Sequence, residues 1–123
     1  MRPHLRLSTS DEVHLPMHWI GVLRGVTSGS LAASGGVHRG LDAVKLLLAG
    51  ADVVMTTSAL LRHGPQHLAV MEAEMRAWMD EREYDSVEQL QGSVSRGNVP
   101  DPDVYERANY FQTLHSWPRA ARR

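Results

Sequence analysis

Two short clusters in this chain carry the residue types of an anion site: Ser34-Gly35-Gly36 and, further on, Thr56-Thr57-Ser58. Glycine has no Cβ, so the backbone N–H groups of Gly35 and Gly36 can approach phosphate oxygens closely. The Ser58 hydroxyl, with the free N–H groups of the turn that starts there, makes a second cradle. Each cluster ends a short apolar run with the look of a buried strand. In a parallel α/β barrel all strand C-termini open on one face, where the last two loops often bind phosphate. Ser34, Gly35, Gly36, Thr57 and Ser58 are therefore the candidate binding residues for one phosphate held between adjacent strands. The residue pattern also fits a pair of tight strand-to-helix turns with no ligand.

The elements that would position these loops follow from periodicity. Residues 1–18 contain Pro3, Ser8, Thr9, Ser10 and Pro16 and are expected to be loop or linker. Trp19-Ile20-Gly21-Val22-Leu23, stopped by Arg24-Gly25, is expected to be a buried strand. Ser30–Ser34 is expected to be a strand, Leu41–Ala49 a short amphipathic helix ended by Gly50, and Ala51–Thr56 another strand. These last three make a βαβ unit, parallel and right-handed by rule. Leu68, Met71, Met75, Trp78 and Met79 recur at helical steps, with Pro65 near the helix start. Ser86 with Gln89 has the form of a capping box. Asp101-Pro102 is expected to open a last helix reaching about Leu114, with Val104, Ala108 and Phe111 on one face. The expected division is 1–18 linker, 19–64 barrel strands with their loops, 65–116 helices and 117–123 tail.

Composition limits what this scaffold can do. The chain has 123 residues, with 13 Lys plus Arg against 14 Asp plus Glu, and no cysteine. The balanced charge gives no electrostatic reason to expect nucleic acid or an anionic membrane as partner. The lack of cysteine removes disulfides, thiolate metal ligands and cysteine nucleophiles. No signal-like or long apolar stretch is present, so a soluble, cytoplasmic protein is expected. A complete (β/α)8 barrel needs about 250 residues, so this length allows only a portion of one. His63 and His67 have the spacing of a helical metal pair, but Gly64 and Pro65 break the helix between them, and no metal site is expected. Arg24 reads either as an anion-binding side chain at the active-site face or as a solvated turn residue. His38 and Arg39 read as exposed residues ahead of a helix.

The stretch from Leu31 to Pro65 resembles the end of the dihydroorotate dehydrogenase barrel. The resemblance rests on Ser34-Gly35-Gly36-Val37, on Gly50-Ala51, and on Thr57-Ser58-Ala59-Leu60 at matching spacing. Trp19 to Gly25, Arg62-His63-Gly64-Pro65, Glu81 to Tyr84 and Arg107 to Tyr110 resemble the flanks of a bacterial dihydroorotate dehydrogenase-like group. The family's Gly-Gly falls on Gly35-Gly36 and its Gly-Thr on Thr57-Ser58, so Thr57 replaces a glycine.

The resemblance implies an α/β fold: the C-terminal portion of a TIM barrel, with about three parallel strands and flanking helices. It implies FMN as cofactor, its phosphate held by Ser34, Gly35, Gly36, Thr57 and Ser58. The implied reaction, in pyrimidine biosynthesis, oxidises dihydroorotate to orotate: a base takes a proton while hydride passes to the flavin. The family's base, flavin-side lysine and substrate asparagines lie upstream of this region, so no catalytic residue is assigned here. A pyrimidine substrate would bind only the complete protein, and exposed barrel edges point to self-association. Two alternatives stand beside this reading. One is a non-redox phosphate-binding barrel enzyme, a lyase or isomerase; the other is a truncated product without independent activity.

Overall fold

The computed structural model of the chain describes residues 4–98. The helix expected over 101–114 and the tail 117–123 lie outside the described residues. A 3₁₀ turn, Ser10–Val13, leads directly into α1, His14–Leu23. Then follow β1 (Ala32–Ser34), α2 (Gly40–Ala49), β2 (Val53–Met55), α3 (Ser58–His63), α4 (His67–Glu81) and α5 (Val87–Leu90).

The start of the chain departs from the sequence expectation. Trp19–Leu23 is the second half of a helix, and residues 10–18 are helical rather than linker. The Glu12 carboxylate accepts the Thr9 N–H (3.2 Å) at the helix entrance, as in a capping box. Pro16 falls in the first turn of α1, where a missing N–H costs no hydrogen bond. Val13, Met17 and Ile20 recur at steps of four and three and face the core, with Val13 1% exposed. The apolar run over 19–23 hides this period, because Trp19 and Leu23 point outward. The sheet thus has two strands among the described residues rather than about three.

β1 and β2 pair in parallel, with Ala32 opposite Val53, Ala33 opposite Val54 and Ser34 opposite Met55. Parallel pairing requires the intervening α2 crossover. Helix and strand alternate from α1 to α3, the order of a parallel barrel, and the chain is an incomplete portion of such an α/β fold. α2 is its central element. Leu46 and Ala49 pack with Val13, Ile20, Ala33, Val37 and Met71, while Val44 and Leu47 pack with Leu90, Met75, Trp78 and Met79. The methionine face of α4 is therefore core, as its spacing predicts, except that Leu68 stays exposed. Where α2 crosses α4, a Cβ on Gly40 would lie 2.2 Å from the Met71 carbonyl oxygen. Only glycine fits there.

Gly50 ends α2 with φ +124° and donates its N–H toward the Leu46 and Leu47 carbonyls. The segment after α5 folds back on the same helix end: Gly92 N–H donates to Leu47 O (2.9 Å) and Val94 N–H to Leu48 O (3.1 Å). These bonds satisfy carbonyls that a helix C-terminus leaves open. Ser86 Oγ accepts the Gln89 N–H (3.2 Å) at the start of α5, as its spacing predicts. The Gln89 side chain instead accepts from Asp85 N–H (2.9 Å), one residue earlier than in a full capping box.

Candidate functional site

β1 and β2 run the same way, so the loops that leave them emerge side by side. Ser34, Gly35, Gly36, Thr57 and Ser58, with Val37, Met55 and Thr56, line one cavity of about 380 Å³. Gly35 (φ +100°) and Gly36 (φ +74°) both hold the left-handed backbone that favours glycine. Their surroundings differ. A Cβ on Gly35 would meet nothing within 4 Å, whereas one on Gly36 would lie 2.2 Å from the Val13 nitrogen. Gly35 thus leaves open space beside the cavity, and Gly36 lets the 3₁₀ turn lie against the loop.

The two loops are tied together by the first residue of the second cluster, which the sequence reading did not count among the binding residues. Thr56 Oγ1 donates to the Val37 carbonyl at 2.7 Å, across from one strand end to the other. Behind the glycines, the Asp42 carboxylate, 1% exposed, accepts the N–H groups of His38 (3.1 Å) and Arg39 (3.0 Å). A carboxylate at this position both caps α2 and fixes the chain that leaves Gly36. His38 is buried, not exposed as expected: its Nε2 meets Ser8 Oγ at 3.1 Å, and its carbonyl lies 2.9 Å from His67 Nε2. Arg39 is exposed as expected.

The same cavity is also lined by Arg6, Leu7, Ser8 and Glu12, from the segment read as linker. Ser8 commits all its polar groups. Its N–H donates to Ser58 Oγ (3.1 Å), its hydroxyl meets His38 Nε2, and its carbonyl accepts from Arg62 (3.0 Å). A polar segment without periodicity gives no local signal of this contact; only the folded neighbours create it.

Arg24 is not at this face. It follows α1 and pairs with Asp52 (2.8 Å) and the Gly50 carbonyl (3.0 Å), at the residue that precedes β2. That is the opposite end of the strands from the cavity, so the anion-binding reading of Arg24 is overturned by its position. The Arg24 hydrogen bond, followed by the Leu31 N–H bond (2.8 Å), holds the Asp52 carboxyl below the usual carboxylate range. The His63 and His67 rings lie tilted to each other with centroids 4.7 Å apart, and no metal-binding cluster occurs among the described residues. No helix among the described residues is long and apolar enough to cross a membrane.

Curated proteins are similar to part of this chain. The chain is 30% identical over 78 residues to dihydropyrimidine dehydrogenase (NADP(+)), chloroplastic, of Arabidopsis thaliana, covering 63% of this chain and 18% of that protein. It is 30% identical over 66 residues to the catalytic subunit of dihydroorotate dehydrogenase B (NAD(+)) of Thermoplasma volcanium, covering 54% and 22%. The chain is thus similar to a dihydropyrimidine and a dihydroorotate dehydrogenase. It is also 39% identical over 66 residues to isopentenyl-diphosphate delta-isomerase of Chlorobium luteolum, covering 50% of this chain and 18% of that one. The matches thus cover 18% to 22% of each of these curated relatives. No family model matches the chain. Two of these relatives are dehydrogenases by name and one is an isomerase.

Proposed function

We propose that this chain carries the FMN phosphate site of a dihydroorotate dehydrogenase-like flavin oxidoreductase that acts on a dihydropyrimidine. The observation that carries this reading is the shared cavity beside Gly35, with Gly-Gly on one wall and Thr57-Ser58 on the other. Fit follows from the open position at Gly35: a Cβ would take up space that a phosphate oxygen needs, and none is there. At about 380 Å³ the cavity exceeds a phosphate and leaves room for the chain that links it to the flavin ring.

In this reading the backbone N–H groups of Gly35 and Gly36 donate to the phosphate oxygens. Ser58 and Thr57 add hydroxyl donors from the second loop. Ser58 Oγ already accepts the Ser8 N–H, which leaves its own proton free for an anion. Thr56 and Asp42 hold the loops in place. The flavin, when bound, supplies hydride acceptance, and the protein supplies position. The catalytic residues of the complete reaction are assigned to none of the residues described.

Fluorescence titration of the full 123-residue chain tests the reading. FMN should bind at least about tenfold more tightly than riboflavin, which lacks the phosphate, since a charge-assisted hydrogen bond contributes more than a kcal/mol. Equal affinity for the two would overturn it. The isomerase relative supports a second reading, in which the cavity holds the phosphate of a phosphorylated substrate in a non-redox reaction. Tight binding of inorganic diphosphate without preference for FMN over riboflavin would favour that one.

A further inference from the structure

We propose that the arm ahead of α1 is the third wall of the anion site, and that Arg6 supplies the positive charge that pairs with the phosphate. This rests on the phosphate reading of the cavity and adds a residue from outside both strand-end loops.

The loops themselves bring no cation. Ser34, Gly35, Gly36, Thr57 and Ser58 are all neutral, whereas an FMN phosphate carries close to two negative charges. Among the ionisable side chains that line the cavity, Arg6 is the cation and Glu12 the carboxylate. The Glu12 carboxylate is engaged by the Thr9 N–H at the helix entrance. The Arg6 guanidinium is exposed and makes no hydrogen bond or ion pair among the described residues, so its five donors are open to a ligand. Its planar fork matches two phosphate oxygens at once.

An arginine on a free arm would lose much of its value to chain entropy, but this arm is held. Two residues after Arg6, Ser8 bonds to Ser58, His38 and Arg62 through its N–H, hydroxyl and carbonyl. Beyond it, the 3₁₀ turn lies against Gly36. Arm and glycine loop are therefore joined on both sides of the cavity wall. Ser8 is a positioning residue, and Arg6 is the group that touches the anion.

Binding of inorganic phosphate, FMN and riboflavin to the full chain, by calorimetry at low and high salt, tests this. Arg6→Gln should weaken phosphate and FMN about tenfold, flatten the salt dependence of both, and leave riboflavin and the melting curve unchanged. Arg6→Lys should recover part of the loss. Glu12→Gln, which keeps the capping acceptor, should tighten phosphate by removing a like charge. Unchanged phosphate and FMN affinities in Arg6→Gln would overturn the role of Arg6, as would an equal loss for riboflavin. Phosphate bound through Arg6 without preference for FMN over riboflavin would uphold this inference and defeat the flavin reading. A wild-type chain that binds neither phosphate nor FMN would overturn both.

Discussion

At the scale of single residues, hydrogen bonds rather than charge fix the two loops. The Thr56 hydroxyl bonds to the Val37 carbonyl over 2.7 Å and is the direct link between the strand ends. Thr56→Val keeps the shape and leaves that carbonyl without its partner. Stability to urea should fall by about 1 kcal/mol, and FMN affinity should fall with it; an unchanged midpoint would show that the link is dispensable. Asp52 provides a test at the other strand end. Its folded-state pKa is depressed by Arg24 and by the Leu31 N–H. The stability it contributes is therefore present above the ordinary carboxylate value and is lost as pH falls through the lower, folded one. Acid melting curves of the wild type should drop below about pH 4, and Asp52→Asn should remove that part of the drop. Parallel curves for the two proteins would assign the acid sensitivity elsewhere. The glycine and hydroxyl residues of the cavity wall were legible in the sequence because strand ends announce themselves by composition. The link from Thr56 to Val37 and the placement of Ser8 and Arg6 were not, since these depend on partners distant in the chain.

At the scale of elements, α2 decides the packing. Its first residue, Gly40, lets α4 approach until a Cβ would sit 2.2 Å from the Met71 carbonyl oxygen. Its N–H also donates to Glu74 (2.7 Å), joining the two helices by a polar contact at their closest point. Gly40→Ala has no backbone strain to overcome and acts through this crossing alone. It should cost about 2 kcal/mol, read as a lower melting temperature, and a neutral outcome would mean that α4 slides without penalty. The strand–helix–strand core could be read from sequence, as could the methionine face of α4, because both have strong periods. α1 could not. Its apolar residues follow a helical step only when Val13 and Met17 are counted, and the compact run from Trp19 to Leu23 imitates a buried strand. Local composition favoured the strand, and packing of Val13 and Ile20 against Ala33 and Leu46 selected the helix.

At the scale of the whole molecule, the sheet is too small to cover itself. Val53 and Met55, on one face of β2, are 52% and 48% exposed, and each strand has a single partner among the described residues. Parallel strands are normally covered on both faces and flanked by others. The relatives, of which the matched region is about a fifth, have further chain to do this. For the chain alone, we expect concentration-dependent self-association through this face. Sedimentation velocity should detect it, and Val53→Lys should reduce it without loss of helical signal. A monomer at every concentration would remove the expectation.

The Arg24–Asp52 pair and the cavity lie at opposite ends of the same two strands. Placing the clamp away from the ligand gives the molecule a division of labour that selection can use. Ser34 and Thr57 can vary and take on new ligands while Gly36 and the far end keep the loops and strands in place. A library randomised at Thr57 and Ser34 should therefore yield mostly folded proteins with altered anion preference. The same effort spent on Arg24 and Asp52 should yield proteins with lower melting temperatures and unchanged anion preference. What the strands separate is the freedom to change what is bound from the obligation to remain folded.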